Sequence, residues 1–296
     1  MSFVRTVAFI LSHPLARRRP IASLAAYVKW QVGSRLVPGP VVCPWVDRSR
    51  ILVHRGETGL TGNIYAGLHE FTDMAFLLHL LRQEDLFVDV GANVGAYSVL
   101  ACAATAARGV AFEPVPSTYS RLLDNVRLNR AESRVQCINM AVADVPGSIA
   151  FSSADDTTNH ALAAGERRGD AIDVEVTTLD SALAGYSPTL IKIDVEGYET
   201  LVVRGGERTL AAPSLLAVIM ELNGNGKRYG FDDEQLVNRM AGLGFAPCVY
   251  EPFSRHLGPL EERSENTGNI IFVRDYDAVN LRLRTAKSAN VHGIKL

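Results

Sequence analysis

The chain has 296 residues, of which 47% are hydrophobic and 21% charged, so it can form one large α/β domain with an extension or two small domains. The formal net charge of −2 gives no overall reason to expect a nucleic-acid partner. The four cysteines lie far apart and form no C-x-x-C pair. This spacing argues against a zinc site or a disulfide framework and predicts reduced thiols in a cytoplasmic protein.

The first fifty residues are more basic than the rest of the chain. They hold eight arginine and lysine residues against Asp47 alone, and eight minus one gives a charge of +7. Residues 1–35 have a helical pattern that Pro14 and Pro20 interrupt. Such a segment either packs on the main domain with its arginines in water or lies on an anionic membrane surface, here the inner membrane face. No apolar run reaches the roughly 18 residues of a membrane-spanning helix, and we expect no export.

Short apolar segments alternate with helical segments from residue 86 onwards, which predicts a parallel sheet with right-handed crossovers. The predicted strands cover residues 86–90, 109–113, 135–139, 190–194, 215–221, 246–250 and 269–273, and the predicted helices cover 97–107 and 117–129. Before them we predict a turn-rich connector over 38–44, a strand over 50–54, a glycine-bearing loop over 56–67 and a helix over 69–82.

The pattern divides the chain into four parts. These are a basic helical N-terminal extension (1–50), a strand and helix cap (51–82), a Rossmann-like domain (83–276) and a C-terminal tail (277–296). The last two strands have no clear helix between them, so they could pair as an antiparallel edge of the sheet. Residues 278–296 look like a loose tail.

A glycine-bearing loop follows the first core strand and predicts a cofactor site. Asp89 ends the strand, and Gly91, Asn93 and Gly95 follow before a helix begins. Glycine lets the backbone approach a ligand closely. A dinucleotide site would need G-x-G-x-x-G to make room for a pyrophosphate, but Asn93 stands where the second glycine should be. A carboxylate at Asp89 instead suits the ammonium and sulfonium of S-adenosylmethionine.

Two further carboxylates follow the next two strands. Glu113 lies 113 − 91 = 22 residues after the first glycine, where it can accept both hydroxyls of a ribose. This feature alone does not separate the two cofactors. Asp144 could bind the exocyclic amine of adenine, or it could be a turn residue before Gly147.

The chain resembles the FkbM family of methyltransferases over roughly residues 65–275. The motifs that carry the resemblance are Asp89-Val-Gly-Ala-Asn-Val-Gly-Ala-Tyr97, Phe112-Glu-Pro114, Asn125 with Leu128-Asn129, Lys192-Ile-Asp-Val-Glu-Gly-Tyr-Glu199, Gly205-Gly206 and Asn269-Ile-Ile-Phe272. The resemblance implies a class I methyltransferase Rossmann-like fold with a seven-stranded, mostly parallel sheet and an antiparallel last strand. It also implies S-adenosylmethionine as donor and O-methylation of a sugar, glycan or natural-product hydroxyl. It leaves the acceptor and the oligomeric state open.

The catalytic candidates follow the fourth and fifth core strands. Asp194 and Glu221 end these strands and Asn223 comes next, so the three side chains should meet at one sheet edge. Asp194 or Glu221 could act as general base or orient the acceptor hydroxyl. The three residues could instead bind Mg²⁺, or Asp194 could simply pair with Lys192. His160, in a loop over 152–160, is a further candidate base.

Two other functions remain open from the sequence. The fold would also suit an NAD-dependent oxidoreductase, although the missing G-x-G-x-x-G argues against it. A non-catalytic domain that only binds a partner is the second alternative, because a fold does not prove an activity.

Overall fold

The structure is a computed structural model that describes residues 3–154, 159–163, 165–166, 169–261 and 268–296. Five helices and a two-stranded antiparallel sheet precede the core. They are α1 (Phe3–Ser12), α2 (Pro14–Arg17), α3 (Pro20–Leu36), β1 (Val41–Pro44), β2 (Arg50–Val53), α4 (Thr58–Ala66) and α5 (Phe71–Leu80). Pro14 and Pro20 each open a helix, since proline fits the first helical turn, where no amide hydrogen bond is lost.

The N-terminal helices pack on the rest of the protein. Ile10, Leu15 and Trp30 belong to the same buried apolar cluster as Phe76 and Phe87. The guanidinium of Arg19 also donates to the backbone carbonyl of His292 near the other end of the chain. Apolar burial, together with this hydrogen bond, therefore holds part of the basic segment on the rest of the protein.

The predicted loop over 56–67 is wrong, because α4 occupies most of it. Glycines in this segment suggested a loop, but Gly62 lies directly against the ring of His69, where a Cβ atom would clash. Glycine here permits close packing and costs helix stability, which a sequence pattern cannot distinguish from a turn. The predicted connector over 38–44 likewise contains β1, which pairs with β2.

The core contains eight further helices or helical turns and thirteen strands among the described residues. They are β3 (Leu86–Val90), α6 (Ala96–Val99), β4 (Arg108–Phe112), α7 (Pro116–Leu128), β5 (Val135–Ile138), β6 (Ala141–Ala143), β7 (Gly147–Phe151), β8 (Ile172–Thr178), α8 (Leu179–Ala182), β9 (Leu190–Ile193), α9 (Glu199–Arg204), α10 (Glu207–Ala211), β10 (Ala217–Glu221), a 3₁₀ turn (Asn225–Tyr229), α11 (Asp233–Gly242), β11 (Ala246–Glu251), β12 (His256–Pro259), β13 (Asn269–Val273), α12 (Tyr276–Arg284), β14 (Asn290–Val291) and β15 (Ile294–Lys295). A π-helical turn over Leu100–Ala104 continues α6.

The large sheet has the order β12-β11-β13-β10-β9-β3-β4-β5. All seven predicted core strands are in it, and β3, β4, β5, β9 and β10 run parallel as predicted. The last of the seven, β13, is antiparallel to both of its neighbours, β10 and β11. The eighth strand, β12, forms an unpredicted hairpin with β11, and β6, β8 and β7 form a separate small sheet.

The prediction of a loose tail over 278–296 is wrong. This segment contains most of α12 and the β14–β15 hairpin, and Leu283, Val291 and Leu296 are buried. The guanidinium of Arg255 donates to the carbonyls of Ala286 and Leu296, at 2.6 and 3.1 Å. The apolar residues of this segment are widely spaced among charged ones, so the sequence shows no periodic pattern that would predict its packing.

Asn125 of α7 and Asn129, which directly follows this helix, hold β2 in place. The side-chain oxygen of Asn125 accepts from the amide of Leu52 at 2.7 Å, and its amide nitrogen donates to the carbonyl of Val94 at 2.9 Å. One turn later, Asn129 both accepts from the amide of Arg50 and donates to its carbonyl. These side chains satisfy the open backbone edge of β2 in the way that a neighbouring strand would.

We expect Asn125→Ala to lower the free energy of unfolding by about 1–3 kcal/mol, because it leaves buried backbone groups of β2 and the glycine loop without partners. Asn129→Ala is the matched control and should cost less, since water can reach its more exposed hydrogen bonds. Urea unfolding followed by circular dichroism measures both. Equal losses for the two variants would contradict this role of Asn125.

Candidate active site

Gly91 brings the ends of β3 and β9 together. It has φ +81°, and a Cβ atom at this position would clash with the carbonyl oxygen of Asp194. Its amide and that of Ala92 donate to the carbonyl of Phe112, at 3.1 and 2.8 Å. Only glycine adopts this backbone readily and permits this approach. The loop therefore depends on Gly91 for its shape, and Asp194 lies beside it.

The first carboxylate, Asp89, is buried on β3. The hydroxyl of Ser98 donates to it at 2.7 Å, and the strand register places Asp89 directly beside Lys192 of β9. Burial raises the pKa of Asp89, while the charge of Lys192 opposes that shift. Asp89 lines the main cavity, as the sequence predicted for a cofactor contact.

Glu113 is fixed at the end of β4 by two backbone amides. Its carboxylate oxygens accept from Asn93 at 2.9 Å and from Val115 at 3.0 Å. Asn93 has φ +50°, and this left-handed backbone aims its amide at Glu113. Burial raises the pKa of Glu113 to about 7, although the two amides favour its charged form. The predicted residues Asn93 and Glu113 thus form one unit of the site.

A cavity of about 360 Å³ opens above these strand ends. Apolar residues that line it come from the end of β4 and from β6, namely Phe112, Pro114, Ala141 and Val142, and Glu113 follows β4. Asp89 of β3 and Asp194 after β9 add carboxylates to the lining. Adenine needs apolar surroundings, ribose a hydrogen-bond acceptor and a cationic amino-acid group a negative charge, so the residues fit S-adenosylmethionine.

The sequence did not identify Lys192 as a site residue, but the structure places it in the cavity wall. Its ammonium lies 2.6 Å from Asp194 and 4.7 Å from the centre of the Tyr97 ring, and its side chain is almost fully buried. Burial opposes its charge, but the carboxylates of Asp194, Glu70 and Asp89 outweigh that cost and raise its pKa. The sequence did contain a signal for this position of Lys192. Residues two apart on a strand point to the same face, so strand alternation places Lys192 on the same face as Asp194.

Glu221 faces the same corner of the cavity from the end of β10. Burial, with the negative charges of Asp194 and Glu196, raises the pKa of Glu221 to about 9. Its Oε2 atom is buried and has no hydrogen-bond partner among the described residues. Glu221 is therefore protonated near neutral pH and can donate a hydrogen bond, which makes it a poor general base there.

Three carboxylates meet at this corner, but they are not the predicted set. Oxygens of Asp194, Glu196 and Glu221 lie within 4.8 Å of one another and could hold a cation. Glu196 takes the place predicted for Asn223, because its left-handed backbone (φ +55°) turns its side chain there. Asn223 instead accepts a hydrogen bond from the amide of Asn225.

Two other predicted residues lie away from the cavity wall. Among the described residues that line it, β6 contributes Ala141 and Val142 but not Asp144. His160 is also absent from that wall, and its ring contacts Glu166 at 3.3 Å and Ser152 at 3.5 Å. Residues 155–158 of the predicted loop over 152–160 lie outside the described residues.

Further unpredicted residues complete the site. Glu70, from the N-terminal end of α5, lines the cavity and accepts from the side chain of Asn269 at 2.8 Å. Glu199 closes the loop after β9 by accepting from the amides of Val195 and Gly197. Burial raises the pKa of Glu199 to about 7. Glu199 itself is buried.

A second cavity of about 270 Å³ lies between α1, α3 and α4. Its wall includes Phe9, Trp30, Arg35 and Tyr65. The ring of His69 lines both this cavity and the larger one. The side chain of His69 therefore lies between the larger cavity and the second cavity beside the N-terminal helices.

A family model described as "Methyltransferase FkbM domain" matches residues 89–247, more than half of the chain. A curated relative, "Hexuronic acid methyltransferase AglP" of Haloferax volcanii, is 28% identical over 150 residues, which cover 50% of this chain and 59% of the relative. "Methyltransferase sdnD" of Sordaria araneosa is 28% identical over 169 residues, which cover 46% of this chain and 65% of that protein. The chain thus matches less than two thirds of either relative.

Two solved structures share a weaker likeness with the chain. The precorrin-6y C5,15-methyltransferase of Geobacter metallireducens has a TM-score of 0.40 and 14% identity, over 67% of this chain and 84% of that chain. A TehB-like methyltransferase of Corynebacterium glutamicum has a TM-score of 0.40 and 10% identity, over 72% of this chain and 93% of that chain.

The raised pKa of Glu113 predicts pH-dependent cofactor binding. Ribose hydroxyls donate to the charged carboxylate, so affinity for S-adenosylhomocysteine should rise by up to about tenfold from pH 6 to pH 8 as Glu113 loses its proton. Isothermal calorimetry measures it, with Glu113→Gln as the control whose weaker binding should lose most of the pH dependence. NAD⁺ should not bind at either pH. An unchanged slope in the variant would remove Glu113 from the ribose site.

Proposed function

Because the chain belongs to the FkbM methyltransferase family, we propose that it transfers a methyl group from S-adenosylmethionine to a hydroxyl oxygen of a sugar or glycan. Asp194 does pair with Lys192, as one of the sequence alternatives had it, but it also lines the cavity next to the predicted cofactor contacts. This position of a half-buried carboxylate in the cavity wall is the observation that carries the proposal. The donor supplies an electrophilic methyl group and a positive charge. The protein must then position the acceptor and remove its hydroxyl proton.

Asp194 is the residue that we assign as general base. It lies at the cavity end of β9 and is half-buried, so an acceptor hydroxyl can reach it. Lys192 offsets the charge of Asp194 and, with three ammonium hydrogens, can also orient its carboxylate. Glu221, protonated at neutral pH, donates a hydrogen bond that orients the acceptor. This division gives the two candidate carboxylates different roles, set by their surroundings.

Charge in the cavity favours a neutral acceptor group. Glu70, Asp194 and Glu196 line it together with Glu221, while Lys192 is the one lysine or arginine in its described wall. An anionic group beside Asp194 would meet like charge, whereas a hydroxyl can donate to a carboxylate. The hexuronic acid after which the Haloferax volcanii relative is named supports a sugar acceptor for this chain. The charge of the cavity supports a hydroxyl of that sugar as the methylated group.

The family match leaves the oxidoreductase alternative without support. The site agrees with the family, because the amide of Asn93 is already bound to Glu113 and a buried carboxylate would repel a pyrophosphate. Binding without catalysis remains the alternative that the following variants test.

We expect Asp194→Asn to lower kcat by about 100-fold or more, because an amide cannot accept the hydroxyl proton. Glu221→Gln is the matched control and should cost about fivefold or less, because an amide, like the protonated acid, still donates a hydrogen bond. The assay follows labelled methyl transfer to a panel of hexoses and hexuronic acids. Affinity for S-adenosylhomocysteine should stay within about twofold in both variants. A larger loss of kcat in Glu221→Gln than in Asp194→Asn would make Glu221 the general base and contradict our assignment. A sugar acceptor would be contradicted if the unaltered protein transferred no methyl group to any member of the panel.

A divalent cation such as Mg²⁺ on Asp194, Glu196 and Glu221 is the second candidate mechanism, because the three carboxylates meet closely. We favour the metal-independent mechanism, since Lys192 already supplies a positive charge to Asp194. Dialysis against EDTA should therefore leave more than about half of the turnover. Loss of activity that added Mg²⁺ restores would instead assign the cluster to a cation.

A further inference from the structure

Exposed apolar side chains concentrate in the N-terminal part of the protein. Of the fourteen large hydrophobic residues that are exposed in the described parts of the chain, nine lie within residues 3–42. Scattered exposed apolar residues are normal on a protein surface, but a cluster of this kind marks an interaction site.

Four of these residues form a straight stripe on α3. Ile21, Val28, Val32 and Leu36 follow one another at intervals of seven, four and four, which places them on one helix face. They are 84%, 57%, 53% and 76% exposed. The opposite face is also apolar, with Tyr27 and Trp30 buried against the protein. Packing in the fold therefore accounts for one apolar face of α3 and leaves the other in contact with solvent.

The neighbouring helix α1 extends this surface. Val4 and Leu11 are exposed on α1, and α1 packs against α3, where Phe3 contacts the ring of Tyr27. The same helix buries Ile10 in the core, so its outward face is not needed for folding. We call the exposed apolar side chains of these two packed helices the α1–α3 face.

Basic residues accompany the α1–α3 face, and acidic residues are missing from it. Residues 3–46 contain six arginine and lysine residues and no aspartate or glutamate. At about 100° of rotation per residue, Lys29 and Arg35 lie on either side of the α3 stripe, and both are exposed. An apolar stripe with cations at its margins matches the acyl region and the phosphates of an anionic lipid surface.

We propose that the α1–α3 face docks on the surface of a bilayer that contains anionic phospholipid. Two copies of this chain meeting through this face would bring Lys29 and Arg35 of both copies together, and residues 3–46 hold no carboxylate to offset them, so this repulsion disfavours a dimer through the same surface. Among the described residues, no helix is long and apolar enough to cross a membrane. Docking therefore occurs in the plane of the interface, with α1 and α3 lying on the bilayer.

Sedimentation with lipid vesicles tests this proposal on the full chain. Vesicles of phosphatidylcholine with phosphatidylglycerol should pellet the protein, and vesicles of phosphatidylcholine alone should pellet it at least about tenfold less, because each cation near anionic lipid adds to the affinity. Raising the salt concentration should weaken the first binding.

Two glutamate substitutions provide the matched pair of variants. Val28→Glu places a carboxylate in the stripe, and Leu281→Glu places one on α12, where the side chain is 65% exposed and lies outside the α1–α3 face. Both variants should keep the thermal midpoint of unfolding of the unaltered protein. Val28→Glu should reduce vesicle binding by about tenfold or more, while Leu281→Glu should bind like the unaltered protein.

The following results would overturn membrane docking. The unaltered protein could fail to pellet with anionic vesicles, or the two glutamate variants could lose binding equally. Light scattering after size exclusion could also show a dimer that Val28→Glu dissociates, with no vesicle binding, and the face would then be an interface between copies. None of these results tests methyl transfer, so membrane docking and the proposed methyltransferase activity are tested independently of each other.

Discussion

The site depends on one buried ammonium group. Lys192 lies beside Asp89 across two parallel strands and contacts Asp194 at the end of its own strand. Several buried carboxylates face one cavity, and such a cluster would be costly to keep charged without a cation among them. The close approach of Gly91 to Asp194 brings the two strand ends to this cation. The close approach of the two strand ends therefore depends on the positive charge of Lys192, and the position of that charge depends on the close approach.

This arrangement also gives the carboxylates different surroundings. Asp194 has an ammonium at 2.6 Å, whereas Glu221 is surrounded by burial and other negative charges that raise its pKa to about 9. Two similar residues at neighbouring strand ends thus differ in what they can do at neutral pH. In the proposed reaction one accepts a proton and the other donates a hydrogen bond, and neither role could be assigned from residue type alone.

The sequence predicted the features that rest on local patterns. Buried strands, the glycine loop and the spacing of Glu113 come from short-range rules, and the structure has all of them. Sequence-based prediction failed where side chains are brought together by a turn or by a contact between distant parts of the chain. The left-handed backbone of Glu196 brings its side chain into the carboxylate cluster, where the sequence had predicted Asn223. Gly62 lies in a helix and packs against His69, whereas its glycine had suggested a loop. Apolar residues in the last segment pack against distant parts of the chain, so no local pattern marked it as ordered.

The residues that line the larger cavity come from two parts of the chain. The family match begins at residue 89 and covers Asp89 and Glu113, while Leu60, His69 and Glu70 line the cavity from outside it. Mutations in α4 and the start of α5 can therefore reshape one wall without altering the shared signature. Relatives with the same signature can in this way diverge in acceptor preference over evolution. Exchange of residues 58–80 between family members is accordingly a direct route to redesigning that preference.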